Sequence, residues 1–568
     1  MAEKDVDGLE ELLFHRETEA ERLRWLGRED TMPGLELRAD PPPLAPIRNC
    51  AEWEPCSGVL IRYPLGLPYN LLRDLDDDVI LHVVVSSGYL STAQSNLTAN
   101  GVDMGRVEFL VRSNDSIWTR DYGPWFVFDG NDELTIINHT YNRPYRPNDN
   151  LIPLYFGQQQ GIPVVGHDMY HTGGNYMTDG AHISSSTELV YDEAAAYQGM
   201  TEAQVDQLME DYYGITNYEV LEYIESGGIH HIDTWAKFLD EESVLVKEVW
   251  SSHWTYSTLE QRATLLASLP ASTDRNYQVF RVYCYDIGGS SPASYTNSLI
   301  LNDNIYVPFF GNSSYDDDAI AAYEAAAPGY TVRGYYYSGF LSDDALHCRA
   351  KGVMDQGMLR VAHVPVLEDQ MGDVTITASI HAHSNQPLTA VELHYRQDAG
   401  DWEIVPMTAA GGDGYEGVIP LPVPVGQSRG PEWTTDYYIH VEDASGRQAG
   451  MPRVEPTRWY SFTQSLDLSA AGETELAPVT LLPNYPNPFN PSTTFNFELR
   501  FPDRVELTVI DARGGVVCRL AKGDYPAGQH QITWDGRNDS GRTVATGVYL
   551  FRLRAAGLQY TRPATLIK

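Results

Sequence analysis

An α/β domain followed by two all-β modules is the fold class this sequence predicts, and three observations carry it. At 568 residues the chain is longer than one hydrophobic core commonly serves, and 42% apolar residues suffice for more than one. From about 46 to 361, short β-branched and aromatic runs alternate with amphipathic stretches of helical period. After about 362 the helical period vanishes, leaving short alternating strands spaced by Gly, Asn and Asp turns.

Residues 1–45 read as an N-terminal helix and linker: Leu9, Leu12, Leu13, Ala20, Leu23 and Leu26 recur at helical spacing, and Pro41-Pro42-Pro43 break the pattern. Within 46–361, GVLIRYP, VILHVVVS, RVEFLVR, WFVFD and LTIINHTY have strand character, and 201–213 and 257–268 have helical character. Residues 362–466, with DVTITASIHAH, AVELHYRQ, DYYIHVEDASG and RWYSF, fit an Ig-like β-sandwich. A soft linker, 467–480, leads to a second β-sandwich, 481–568, with FNFEL, VELTVID, HQITWDG and GVYLFRLRA.

Composition narrows the partners. The 78 acidic and 39 basic residues give a formal charge of −39, which repels nucleic acid and anionic membranes and attracts cations, arginine-bearing peptides among them. An acidic surface suited to solubility is the plainer account of the same charge. No apolar run is long enough for a membrane span, and the charged start has no signal-peptide h-region. Five cysteines are too few for a disulfide scaffold, although Cys50 and Cys56 are close enough in sequence to pair; no CxxC pairs suggest zinc.

Three short runs carry chemistry: Trp118-Thr119-Arg120-Asp121, His231-Ile232-Asp233 and His347-Cys348-Arg349. Attack on a guanidinium carbon needs carboxylates to accept the N–H forks of a planar cation while a thiolate approaches its face. Asp121 and Asp233 suit the first task and Cys348 the second. If GIHHID is a strand, His231 and Asp233 share a face, and Gly227-Gly228 before it favours that conformation. Each piece also has an ordinary account: Asp233 as the cap of a WAKFLD helix, His231 as a packed core residue, Asp121 as a partner of Arg120, Cys348 as an inert buried thiol. Trp118 is placed to stack on a guanidinium. Cys348 needs an activating environment or the substrate's own positive charge, since a free thiol has a pKa of about 8.5.

Together and in this order, AEWEP (51–55), WTRDYGPW (118–125), YNRP with RPNDN (141–150), TGGNYMTDG (172–180), HIDTWAKFL (231–239), YTNSLILN (295–302) and ALHCRAKG (345–352) resemble the Porphyromonas-type peptidylarginine deiminase family, which shares the guanidine-modifying pentein fold with agmatine deiminases. The resemblance implies a five-fold pseudosymmetric α/β propeller of ββαβ units, a repeat that the pattern of elements does not itself disclose. It implies Cys348 as nucleophile, Asp121 and Asp233 holding the cation, His231 as general acid and base, and Asn297 beside the thiol. It further implies Arg143 and Arg146 as a clamp for the carboxylate of a C-terminal arginine, and catalysis without a metal or organic cofactor. The tail, with NYPNPFNPSTT, WDGRNDSG, ATGVYLFRL and a final LIK, resembles C-terminal sorting domains of secreted bacterial proteins, which implies export to the surface and contact with secretion machinery.

The expected activity is therefore deimination of peptidyl-arginine to peptidyl-citrulline. A small-guanidine hydrolase of agmatine deiminase type is the alternative, and an inactive surface binding protein is the alternative of another class.

Overall fold

The computed structural model describes residues 39–224, 228–422, 432–465, 479–555 and 558–567. The helix expected over 6–27 and most of the linker expected at 467–480 lie outside these residues. The chain divides after Gln356 into two compact units.

The first unit is built from five small mixed sheets among its described residues. In each, an antiparallel pair is followed by a parallel one. Thus Ala236–Phe238 runs antiparallel to Ser243–Glu248, which runs parallel to Gln278–Tyr283. Leu299–Leu301, Asn304–Phe309 and Thr331–Tyr336 repeat the order. Helices Tyr256–Leu266 and Ser313–Ala326 make the parallel crossovers, as parallel pairing requires. Covered strands of this kind read as almost continuous apolar runs: Val59, Leu60 and Ile61, and Val83, Val84 and Val85, have no exposure. The expected 201–213 helix spans Glu202–Tyr213. Thr201 and Gln204 form its capping box, Gly214 at φ 70° ends it, and Val205, Met209 and Tyr213 are its buried face.

One sheet is closed by distant parts of the chain. Lys351–Met354, the last strand of the unit, lies antiparallel to Cys56–Tyr63 near its beginning, which continues in parallel to Ile80–Val85 and Val107–Val111. Cys348 therefore stands at the mouth of a closing strand.

The second unit starts earlier than the sequence boundary at 361: Leu359–Ala362 pairs with Val374–Ala382 because its alternating apolar residues, Leu359 and Val361, enter the β core. That core is shared with the sheet containing Leu388–Gln397, Glu432–Asp443 and Tyr460–Ser465. Two further sheets, one with Thr493–Leu499 and Gly528–Trp534, the other with Asp503–Asp511 and Gly547–Ala555, share a core around Phe495, Phe497, Leu507, Trp534 and Phe551. All five cysteines are free, so Cys50 and Cys56 are not bridged. Among the described residues no helix is long and apolar enough to cross a membrane.

Candidate active site

Cys348 lies in a single 3₁₀ turn, His347–Arg349, and is wholly buried. Its sulfur is 3.3 Å from Nδ2 of Asn297 and 3.7 Å from Oδ2 of Asp233. Asn297 is fixed by its other end, since Oδ1 accepts from the backbone N–H groups of Ala345 (3.0 Å) and Cys348 (3.3 Å). Arg349 pins the turn from behind, reaching both oxygens of Asp344 (3.2 and 2.7 Å) and the carbonyls of Gly66 and Gly339, each at 2.7 Å.

Asp233 is not on a strand. Ile232–Thr234 forms a 3₁₀ turn entered from His230 at φ 60°, and the Ile232 N–H donates to Oδ1 of buried Asn175 (3.2 Å) instead of to a neighbouring strand. Nor does WAKFLD form a helix: Ala236–Phe238 is a strand. A side-chain amide thus satisfies the backbone group that strand pairing would have used. Asn175, in TGGNYMTDG, had no assigned role in the sequence.

Asp121, His231 and Asp233 surround Gly174. A Cβ on that glycine would stand 2.5 Å from Nδ1 of His231, 2.8 Å from Oδ1 of Asp121 and 3.3 Å from Oδ2 of Asp233, so only a bare backbone fits. The Gly174 N–H donates to Oδ1 of Asp121 (3.2 Å), and that oxygen is 3.6 Å from Nδ1 of His231. Thiol, imidazole, amide and both acids of the sequence analysis are therefore brought to one place. Asp233 keeps one buried oxygen, Oδ1, without a hydrogen-bond partner among the described residues.

The remaining candidates are engaged by the protein itself. Trp118 is fully buried, with the Arg349 guanidinium 5.6 Å from its ring centroid. Arg146 is 2% exposed, lies over the Tyr145 ring at 5.2 Å and approaches the Tyr141 hydroxyl at 3.4 Å. Arg143 lies 3.8 Å from Glu193, whose carboxylate also accepts from Asn142 at 2.8 Å.

Two residues were missed by sequence reasoning. Nδ1 of His347 is 2.7 Å from Oδ2 of Asp233, and Nε2 is 2.7 Å from Oε2 of Glu52. Burial and Arg120 push the imidazole pKa down while the two carboxylates push it up. On balance burial and Arg120 lower the pKa of this ring, although both 2.7 Å carboxylate contacts are satisfied at once only when it carries both protons. Burial alone would raise the Glu52 carboxyl, but His347, Lys237 and Arg120 hold it well below the usual range. Both residues sit in quoted runs, AEWEP and ALHCRAKG; the signal was a carboxylate and an imidazole with no other assignment.

The thiol is in its neutral form at rest. Burial first, then Asp233, Asp344 and Asp121, push its pKa well above the ordinary value, against the hydrogen bond from Asn297. A bound cation would offset those acids.

The agmatine deiminase of Medicago truncatula is 24% identical over 285 residues, 42% of this chain and 75% of that protein. A solved structure described as a candidate peptidyl-arginine deiminase superposes with a TM-score of 0.50 at 17% identity, over 55% of this chain and 100% of that one, and shows the shared fold. Fold and family model together place the chain among the guanidine-modifying deiminases. Residues 48–352 match the sequence model of the Porphyromonas-type peptidyl-arginine deiminase, and the chain belongs to that family. Residues 487–558 match the FlgD Ig-like domain, and the basal-body rod modification protein FlgD of Salmonella typhimurium is 41% identical over 66 residues, 11% of this chain and 28% of that protein.

Proposed function

We propose that the chain hydrolyses the guanidinium of a small cationic substrate, agmatine foremost, to a ureido product and ammonia. The unpartnered, buried Oδ1 of Asp233 beside the thiol carries this proposal: it is an acceptor suited to a guanidinium N–H. Asp121 and Asp233 hold the cation, whose charge favours the thiolate, and Asn297 donates to the sulfur. The thiol proton passes to His231 as the Cys348 sulfur bonds to the guanidinium carbon. The C–N bond then breaks, ammonia leaves with a proton from His231, and a thiouronium remains. His231 next takes a proton from water, the oxygen adds to that carbon, and cleavage of the C–S bond returns the thiol and frees the ureido product. The five sheets, each ordered as an antiparallel then a parallel pair, support reading the unit as a five-bladed propeller.

The peptidyl-arginine preference expected from the sequence gives way to the smaller substrate on two grounds. Arg146 and Arg143 are already engaged by Tyr141, Tyr145 and Glu193, which weakens the case for a carboxylate clamp. The relative reported above is named an agmatine deiminase. Peptidyl-arginine stays as the second substrate class on the strength of the family itself. A panel of agmatine, free arginine and peptides with C-terminal or internal arginine, read by colorimetric ureido detection, is the test. Faster turnover of either peptide overturns the agmatine assignment, and no product from any member, with folded protein, overturns the enzyme. Iodoacetamide labelling with and without agmatine separates the inert binding protein: a change in Cys348 labelling on adding agmatine is expected, and a Cys348 indifferent to agmatine supports inertness. The acidic composition and sorting-like tail support export and surface attachment, which fractionation of cells expressing the full chain would test.

A further inference from the structure

On the Glu52 side of the His347 ring lies a cavity of about 20 Å³, enough for a single occupant of water or halide size. The deimination chemistry makes no use of it. Glu52, Arg120, Trp125, Lys237, His347 and Lys351 line it.

Three permanent or potential cations face one carboxylate, and that carboxylate is fully engaged. Oε1 of Glu52 is 2.7 Å from Nζ of Lys237 and 3.6 Å from Nη2 of Arg120; Oε2 binds His347. Lys237 completes its contacts on the Ser298 carbonyl at 2.7 Å. Lys351 is 5% exposed, and its ammonium makes no hydrogen bond with any described residue; its contact is the Trp125 ring, 3.6 Å from the centroid. Nη2 of Arg120 is buried without a hydrogen-bond partner among the described residues. The other titratable groups beside Lys351, Cys50 and Cys56, are thiols, and burial pushes that of Cys56 far up, so it supplies no charge. Among the described residues, cations therefore outnumber the one carboxylate that lines this space, the inverse of the arrangement around Asp233.

We propose that this cavity binds one small monovalent inorganic anion of chloride's size between Lys351 and Arg120. Glu52 is the one carboxylate lining the cavity and is already engaged by Lys237, Arg120 and His347, so the Lys351 ammonium shares its charge and the Arg120 Nη2 group lacks a hydrogen-bond acceptor, both unfavourable in a buried place; one halide satisfies both. Without it, burial and Arg120 push the Lys351 ammonium well below its ordinary pKa, and the ion restores the charged form. The site goes beyond the deiminase reaction and takes no part in holding substrate.

Two measurements on the full chain test it. Bromide soaked into wild-type crystals should give an anomalous peak in the cavity, between Lys351 and Arg120; a map with no peak there overturns the proposal. In solution, chloride should raise the melting temperature saturably against gluconate of equal ionic strength, an anion too large to enter. Lys351→Met should remove that saturable increment. An equal rise in gluconate, or a chloride increment that survives in Lys351→Met, overturns it too. Should the variant fail to fold, the wild-type bromide map decides. Neither readout involves turnover, so a protein inactive on every guanidine could still bind the ion.

Discussion

The two nitrogens of the His347 ring meet opposite surroundings. Beyond Nδ1 stand Asp233 and Asp121, oxygen acceptors with a thiol among them; beyond Nε2, past Glu52, stand Arg120, Lys237 and Lys351, which are all donors. Charge in this interior is sorted rather than neutralised pair by pair. The acidic side is left suited to a cation and the basic side to an anion, and one imidazole joins them. A buried polar network can do this only if its members are mutually satisfied where they touch.

Variants on the acidic side should give the largest effects. Cys348→Ala should lower ureido production from agmatine by about 10⁴-fold or more with the melting temperature retained; a residue of activity near the wild-type level would show that the thiol is not the nucleophile. Asp233→Asn removes both a holder of the cation and the partner of His347, so kcat/KM should fall by roughly 3–5 kcal/mol, about 10² to 10³-fold or beyond. Gly174→Ala should cost about 10²-fold in kcat/KM, because the added methyl displaces His231 and Asp121 from the substrate; unchanged kinetics would show that the three groups need not converge.

Glu52→Gln sharpens the contrast at smaller cost, about 1.5–3 kcal/mol for a lost charged hydrogen bond, read as a fall in kcat. It has a pH signature as well. The Glu52 carboxyl is depressed in the folded state, so its contribution to stability is complete above about pH 4.5 and is lost as pH falls toward the lower folded value. Denaturant titrations in acid should therefore be flatter for the variant than for wild type. Arg146→Ala, finally, should lower stability by about 1–3 kcal/mol through lost packing on Tyr145; a selective loss of C-terminal arginine peptides would instead make it a clamp.

The division into α/β and β units, and the strands and helices within them, were legible because covered strands and amphipathic helices write different periods into sequence. The candidate thiol, imidazole and acids were legible as the short runs around Cys348, His231, Asp121 and Asp233. Their convergence was not: it depends on a glycine that leaves room among three side chains, and on Asn175 capturing the Ile232 N–H, which turned an apparent strand into a turn. Glu52 and His347 escaped notice because their contact spans 295 residues, and no local period records such a pairing. The fivefold recurrence of sheets was equally hidden, since the repeats share an order of strands rather than a string of residues.

Closure of the first unit by Lys351–Met354 against Cys56–Tyr63 has a consequence for timing during synthesis. A ribosome delivers the earliest strand of that sheet long before the latest, and Cys348 travels with the latest. Until roughly the final turn and strand have emerged, the growing polypeptide owns the acids and the imidazole but not the Cys348 thiol, so the cluster is completed only as the sheet is sewn shut.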